Sequence, residues 1–210
     1  MAATLSGIYK KLYGCFGPQH WWPAQTPFEV MVGAILTQNT NWFNVEKAIQ
    51  NLKGKKLLSA DKLYRLPEKK LAALIKSAGY YNIKANRLKN FLDFFIKKYK
   101  GDIRKLSKGN TRALREDLLS VKGIGAETAD SILLYALNKP IFVADAYTKR
   151  ILSRHKIVSP DAGYAEIQGI FMQNLKKDQK LFNEYHALLV KLGKEYCLKN
   201  NPKCQICPLK

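Results

Sequence analysis

Acidic side chains are in short supply in this chain. Across 210 residues, 16 Asp and Glu stand against 36 Lys and Arg, leaving a formal charge of +20. Long apolar runs are missing too: no stretch approaches the ~20 residues of a membrane span, so no membrane partner is expected. The segment Met1 to Gly14 carries Lys10 and Lys11 after a few apolar residues and lacks a secretory core, which predicts an intracellular protein. Cysteine is limited to four residues. In a reducing compartment, clustered cysteines argue for metal rather than disulfides. Repeats, low-complexity tracts and visible linkers are absent, and strand patterning is confined to Ile141-Phe142-Val143, too short for a sheet. The length fits one globular unit or two small lobes, and 47% hydrophobic residues can supply a core.

What is present in excess is positive charge. Basic side chains placed on phosphates release condensed counterions, so the balance points to a polyanionic partner; a basic but inert surface is the alternative. Helical periodicity fills the rest of the chain. Thr26-Pro27-Phe28-Glu29 has capping-box spacing and opens the apolar run Val30 to Leu36. Val45, Ala48, Ile49 and Leu52 mark one face of a second helix. A short helix is expected from Pro67 to near Gly79. Another is expected over 83–99, burying Leu88, Phe91, Leu92, Phe95 and Ile96 and stopped by Gly101. Further helices are expected at 111–120, 126–137, 145–154, 160–174 and 179–196. The class is all-α.

The most informative segment runs from Leu118 to Ala129. Lys122-Gly123-Ile124-Gly125 sets two glycines around one apolar residue between two amphipathic helices. Glycine lets the backbone turn tightly and approach a ligand, and the helix that follows offers unpaired N–H groups to an anion such as a DNA phosphate. Alone, this pattern also fits a plain helix–helix turn. Twenty residues after Gly125, the short apolar segment from Pro140 delivers Asp145 to the start of the next helix. By itself that is an ordinary N-cap.

Together, the hairpin and Asp145 resemble the helix-hairpin-helix/GPD superfamily of DNA glycosylases, which includes endonuclease III, adenine-mismatch glycosylases and alkylbase glycosylases. The resemblance extends from Trp21 to Pro208. It implies a two-lobed all-α fold: a six-helix barrel with the hairpin over 25–138, and a second lobe from 1–24 and 139–210, with DNA crossing the cleft between them. It also implies that Asp145 is the essential carboxylate. A monovalent cation held by the carbonyls of Leu119, Val121 and Ile124 is expected from the same source. Relatives that also cut the strand have a lysine two residues after the second hairpin glycine. Here that position is Glu127, which cannot form an imine. Base removal without strand cleavage is therefore expected, although Lys122 and Lys149 lie nearby in sequence.

The segment Gln38-Asn39-Thr40 resembles the family's gap-filling motif, with Gln38 replacing the flipped base. Gly79-Tyr80-Tyr81-Asn82 resembles the loop that supplies a second penetrating residue, here Tyr80. Both segments also read as helix termini. Trp21-Trp22-Pro23, the run through Gln38 and the segment Ser77 to Leu88 are similar to the 3-methyladenine DNA glycosylase III subfamily. The resemblance implies a base pocket built on Trp21, Trp22 and Trp42, whose electron-rich rings suit a cationic methylated base. Trp42 stands where that subfamily often has a smaller aromatic. Cys197-x6-Cys204-x2-Cys207 matches the first three positions of the endonuclease III [4Fe–4S] loop, with zinc as the other reading. The fourth position would fall three residues beyond Lys210, so a longer chain or an outside ligand would have to complete the site.

The expected protein is a monofunctional DNA glycosylase acting as a monomer on double-stranded DNA with a damaged base, 3-methyladenine or another alkylated purine. It is expected in the cytoplasm, at the nucleoid in a prokaryote. The alternatives are an endonuclease III-like or mismatch glycosylase acting on oxidised pyrimidines or mispaired bases, and an inactive DNA-binding protein.

Overall fold

The computed structural model describes residues 1–210, the side chains of Ala2 and Ala3 excepted. It is about 65% helix, with no strand among the described residues. The helices are α1 (Ala2–Phe16), α2 (Pro27–Leu36), α3 (Trp42–Gly54), α4 (Ala60–Arg65), α5 (Glu68–Leu74), α6 (Tyr81–Tyr99), α7 (Ile103–Ser107), α8 (Thr111–Leu119), α9 (Ala126–Ser131), α10 (Ala146–Arg154), α11 (Tyr164–Asn174) and α12 (Gln179–Glu195). Short 3-10 turns occupy Lys76–Ala78 and Cys204–Ile206, and a π turn occupies Ile132–Ala136. The chain divides into one unit made of Met1–Pro23 with Lys139–Lys210 and another made of Ala24–Asn138. No helix is long and apolar enough to cross a membrane.

In the 24–138 unit, α2 is buried at every residue from Phe28 to Leu36, which makes it the axis of the core. Its start is fixed as the sequence predicts: the Glu29 N–H donates to Thr26 Oγ1 at 3.1 Å. Glu29 itself is buried and pairs with Lys53 at 2.7 Å. Val45, Ala48, Ile49 and Leu52 of α3 are all buried. Phe28, Phe91 and Phe95 stack between α2 and α6, with centroids 6.3 and 5.8 Å apart. Ile96, expected inside, is only half-buried. The helix stops where Lys100 and Gly101 take positive φ and donate back to Ile96 and Phe95. The single helix expected over 126–137 is instead α9 followed by the π turn, closed by the Leu137 N–H donating to Ile132 O.

In the 1–23/139–210 unit, α1 was not anticipated by the sequence reading. Its signal is present nonetheless: Leu5, Ile8 and Leu12 recur at helical spacing and are buried. Tyr185 of α12 donates its hydroxyl to Leu5 O at 2.8 Å. Phe142 stacks on Phe171 at 3.7 Å and meets Phe182 and Tyr185 edge-on. The strand-like Ile141–Val143 has no neighbouring strand. Its backbone is satisfied by side chains, with the Phe142 N–H directed to Met172 Sδ and Gln168 Nε2 donating to Phe142 O. This anchored segment ends at Asp145. The expected helix over 160–174 starts later, at Tyr164, because Gly163 is its N-cap.

Candidate active site

In the 1–23/139–210 unit, Asp145 is the N-cap of α10. Its Oδ1 accepts the Thr148 N–H at 2.8 Å and the Thr148 hydroxyl at 2.9 Å. Its Oδ2 lies 3.5 Å from His186 Nε2 of α12, and both side chains are largely buried. Burial pushes the carboxyl pKa up. The positive field and hydrogen bond of His186, joined by the two Thr148 donors, overcome that and hold it below the ordinary Asp value. The carboxylate is therefore ionised at neutral pH. The capping bonds use Oδ1, and Oδ2 faces His186. His186 and Thr148 were missed from sequence; Thr148 follows from the cap spacing, whereas nothing local points to His186.

Trp21 and Trp22 are half-buried, with ring centroids 5.0 Å apart and planes tilted by 50°, so the two rings do not form a parallel sandwich with each other. Trp42, also half-buried, opens α3 behind the N-cap Asn41 and belongs to the other unit.

In the 24–138 unit, α8 ends at Leu119 and the hairpin follows. Val121 and Ile124 are buried and Lys122 is exposed. Gly123 has φ +95°, and a Cβ there would overlap the Arg87 side chain. Gly125 is the N-cap of α9 and supplies no capping side chain; a Cβ on it would meet nothing within 4 Å. Val121 O accepts the Ile124 N–H at 3.0 Å, which leaves that carbonyl one lone pair for the expected cation. Glu127 is exposed in the first turn of α9.

Gln38 sits against this hairpin. Its Nε2 donates to Gly123 O at 3.0 Å and to Thr128 Oγ1 at 2.9 Å, and its Oε1 accepts from Arg87 Nη1. Both ends of the amide are engaged within the protein. Tyr80, by contrast, faces solvent. It is 68% exposed, with φ +44° after Gly79 at +69°, and Ile83 beside it is 53% exposed. Two residues of α6 that the sequence reading passed over complete the picture. Asn90 donates to Lys122 O at 3.1 Å, and buried Lys84 donates to Leu36 O at 2.8 Å and Ala78 O at 2.7 Å.

In the cysteine loop, Cys197 is buried, Cys207 half-buried and Cys204 exposed. Among the described residues no three His, Cys, Asp or Glu side chains are grouped to hold a metal. The loop is bound by arginines of α10: Arg150 donates to Cys197 O and Gly193 O, and Arg154 to Cys197 Sγ at 3.3 Å and to the carbonyls of Leu198 and Lys199.

Residues 32–177 match the family model described as "HhH-GPD superfamily base excision DNA repair protein". The chain belongs to the HhH-GPD superfamily. It is a DNA glycosylase of that base excision repair family. It is similar to "Putative DNA repair glycosylase MJ1434" of Methanocaldococcus jannaschii, with 51% identity over 97% of this chain and 92% of the relative. It is also similar to endonuclease III of Thermotoga maritima, with 29% identity over 88% of this chain and 81% of that one. Among solved structures, H. pylori 3-methyladenine DNA glycosylase (MagIII) bound to 1,N6-ethenoadenine superposes with a TM-score of 0.77 and 29% identity, covering 92% of this chain and 95% of that one. A non-covalent endonuclease III–DNA complex gives a TM-score of 0.85 at 21% identity, covering 100% and 93% of the two chains, a likeness of fold.

Proposed function

We propose that the protein is a monofunctional glycosylase that hydrolyses the N-glycosidic bond of a flipped alkylated purine, 3-methyladenine first among them, and leaves the abasic strand uncut. The observation that carries this reading is Asp145, a carboxylate withdrawn from water yet held ionised, with one oxygen outside its capping bonds. A purine methylated at N3 is already positively charged. The C1′–N bond breaks with its electron pair going to the base, which leaves neutral without a proton from the protein. Asp145 stabilises the oxocarbenium-like sugar, and water adds to C1′ and releases a proton. No step runs through the cysteine loop.

The monofunctional part rests on Glu127, since a carboxylate cannot attack C1′ to form an imine. The preference for alkylated purines is supported by the likeness to MagIII and by the electron-rich Trp21, Trp22 and Trp42. In this reading Tyr80 fills the gap in the stack, Gln38 fixes the hairpin against the end of α2, and the backbone of Lys122, Gly123, Ile124 and Gly125 meets a phosphate. The open space at Gly125 supports that close approach.

The deciding assay offers the protein duplexes bearing 3-methyladenine, 7-methylguanine, thymine glycol, hypoxanthine and mismatches. The methylated purines are expected to be released, with strand cleavage only after alkali and no adduct trapped by borohydride. Release of thymine glycol with a trapped adduct would move the enzyme to the endonuclease III-like class.

A further inference from the structure

Three segments of the 24–138 unit serve the proposed reaction: Gln38 after α2, which fixes the hairpin, the Gly79–Tyr80 turn, which enters the duplex, and the Lys122–Gly125 hairpin, which meets a phosphate. They are widely separated in sequence, yet one side of α6 touches all three. Lys84 holds the last carbonyl of α2 and the last carbonyl of the 3-10 turn before Gly79. Arg87, one turn on, binds Gln38 and packs across Gly123. Asn90, a further turn on, binds the Lys122 carbonyl. The spacing of three residues keeps these side chains neighbours along the helix.

We propose that Lys84, Arg87 and Asn90 form a spine that sets the register of these three segments, with Lys84 acting as the positioning residue for Tyr80. The proposal rests on the reading above, in which Tyr80 enters the duplex. Lys84 is 1% exposed, and a buried lysine is an expensive way to fill space. An apolar side chain of similar volume would fill the space but leave both carbonyls without this donor. What the ammonium does, and a methyl group cannot, is bind two helix-end carbonyls at once. Both are acceptors left over at the negative ends of their turns. Burial, with Arg87 adding to it, lowers the Lys84 pKa to about 8, a further sign that the position is held against a cost.

The test is a double-mutant cycle on the full chain. Affinity is measured for a duplex with a tetrahydrofuran abasic site and for the same duplex undamaged, using wild type, Lys84→Met, Tyr80→Ala and the double variant. Lys84→Met is expected to reduce the preference for the abasic duplex about tenfold, the size of a typical coupling between linked residues. Affinity for undamaged DNA, which rests on surface charge, should change less than about twofold. In the Tyr80→Ala background, Lys84→Met should cost nothing further. Equal losses in both backgrounds, or equal losses on both duplexes, would mean a general structural role and overturn the spine. If Lys84→Met does not fold, Arg87→Gln replaces it in the same cycle and the same outcomes decide. A wild type with no preference for the abasic duplex overturns the proposed function as well. A wild-type preference with additive losses overturns the spine alone.

Discussion

Asp145 caps α10 through Oδ1 and turns Oδ2 toward His186, and its part in the proposed reaction can be tested. Asparagine caps helices about as well as aspartate, so Asp145→Asn should keep the α10 cap and lose only the stability that the charge gains beside His186. Base release should fall by roughly two orders of magnitude or more, the scale of removing an electrostatic stabiliser, with DNA affinity kept. Near-normal turnover would remove Asp145 from the chemistry. His186 gives a second test. Its field is the largest of the influences that bring the Asp145 carboxyl below 3.8 against the upward push of burial. A depressed carboxyl keeps its charge, and the stability that charge brings, above the unfolded value, and loses both as pH falls through the folded one. The acid limb of the base-release profile should therefore lie below the ordinary Asp range in the wild type and move to higher pH in His186→Gln. An unmoved limb would show that His186 does not set the charge. Asp145 could be read from sequence because the hairpin and the apolar lead-in surround it locally. His186 lies 41 residues further on, and only the packing of α12 against α10 brings it to the carboxylate.

At the scale of elements, Lys84 shows what periodicity reveals and what it hides. It falls on the same stripe of α6 as Leu88, Phe91 and Phe95, so its burial was foreseeable. Its acceptors were not, because both are backbone carbonyls of other turns. In the unfolded chain this lysine titrates near 10.5 and in the folded protein near 8. Between those values the native state has released a proton that the unfolded state still holds, so stability rises with pH across that window. Denaturant midpoints of the wild type should gain on those of Lys84→Met from pH 7 to pH 10. A gap that does not change with pH would show that the pKa is not depressed. Packing of α10 on α12 gives another prediction. A Cβ on Gly193 would lie 2.9 Å from Tyr147 Cβ and Cγ, so Gly193→Ala should destabilise by about 1–3 kcal/mol in chemical unfolding. The helices α2, α3, α6 and α12 were legible because each presents a long apolar face. α1 was passed over although Leu5, Ile8 and Leu12 carry its pattern. The π turn has no sequence signature, because widening one turn leaves a fully apolar run unchanged.

For the whole molecule, some of the sixteen acids pair with residues of other helices: Glu29 with Lys53, Asp117 with Lys98 and Tyr99, Asp130 with Arg115, and Asp145 with His186. The formal charge of +20 is unchanged by such pairing. Binding to undamaged duplex should fall steeply with salt, log K against log concentration losing about 0.9 for each phosphate neutralised. A flat salt response in fluorescence titrations would contradict the polyanion reading of the composition. The chain's connectivity has a consequence in time. The 1–23/139–210 unit is assembled from both ends of the sequence, and Tyr185 closes on Leu5 across 180 residues. During synthesis α1 emerges roughly 10–40 s before its docking partner on α12 at ordinary elongation rates. The 24–138 stretch is complete well before then and can fold on the ribosome, while α1 waits with Leu5, Ile8 and Leu12 uncovered. Over that interval the nascent protein carries a helix with an apolar face in search of a seat, and a chaperone would have something to hold.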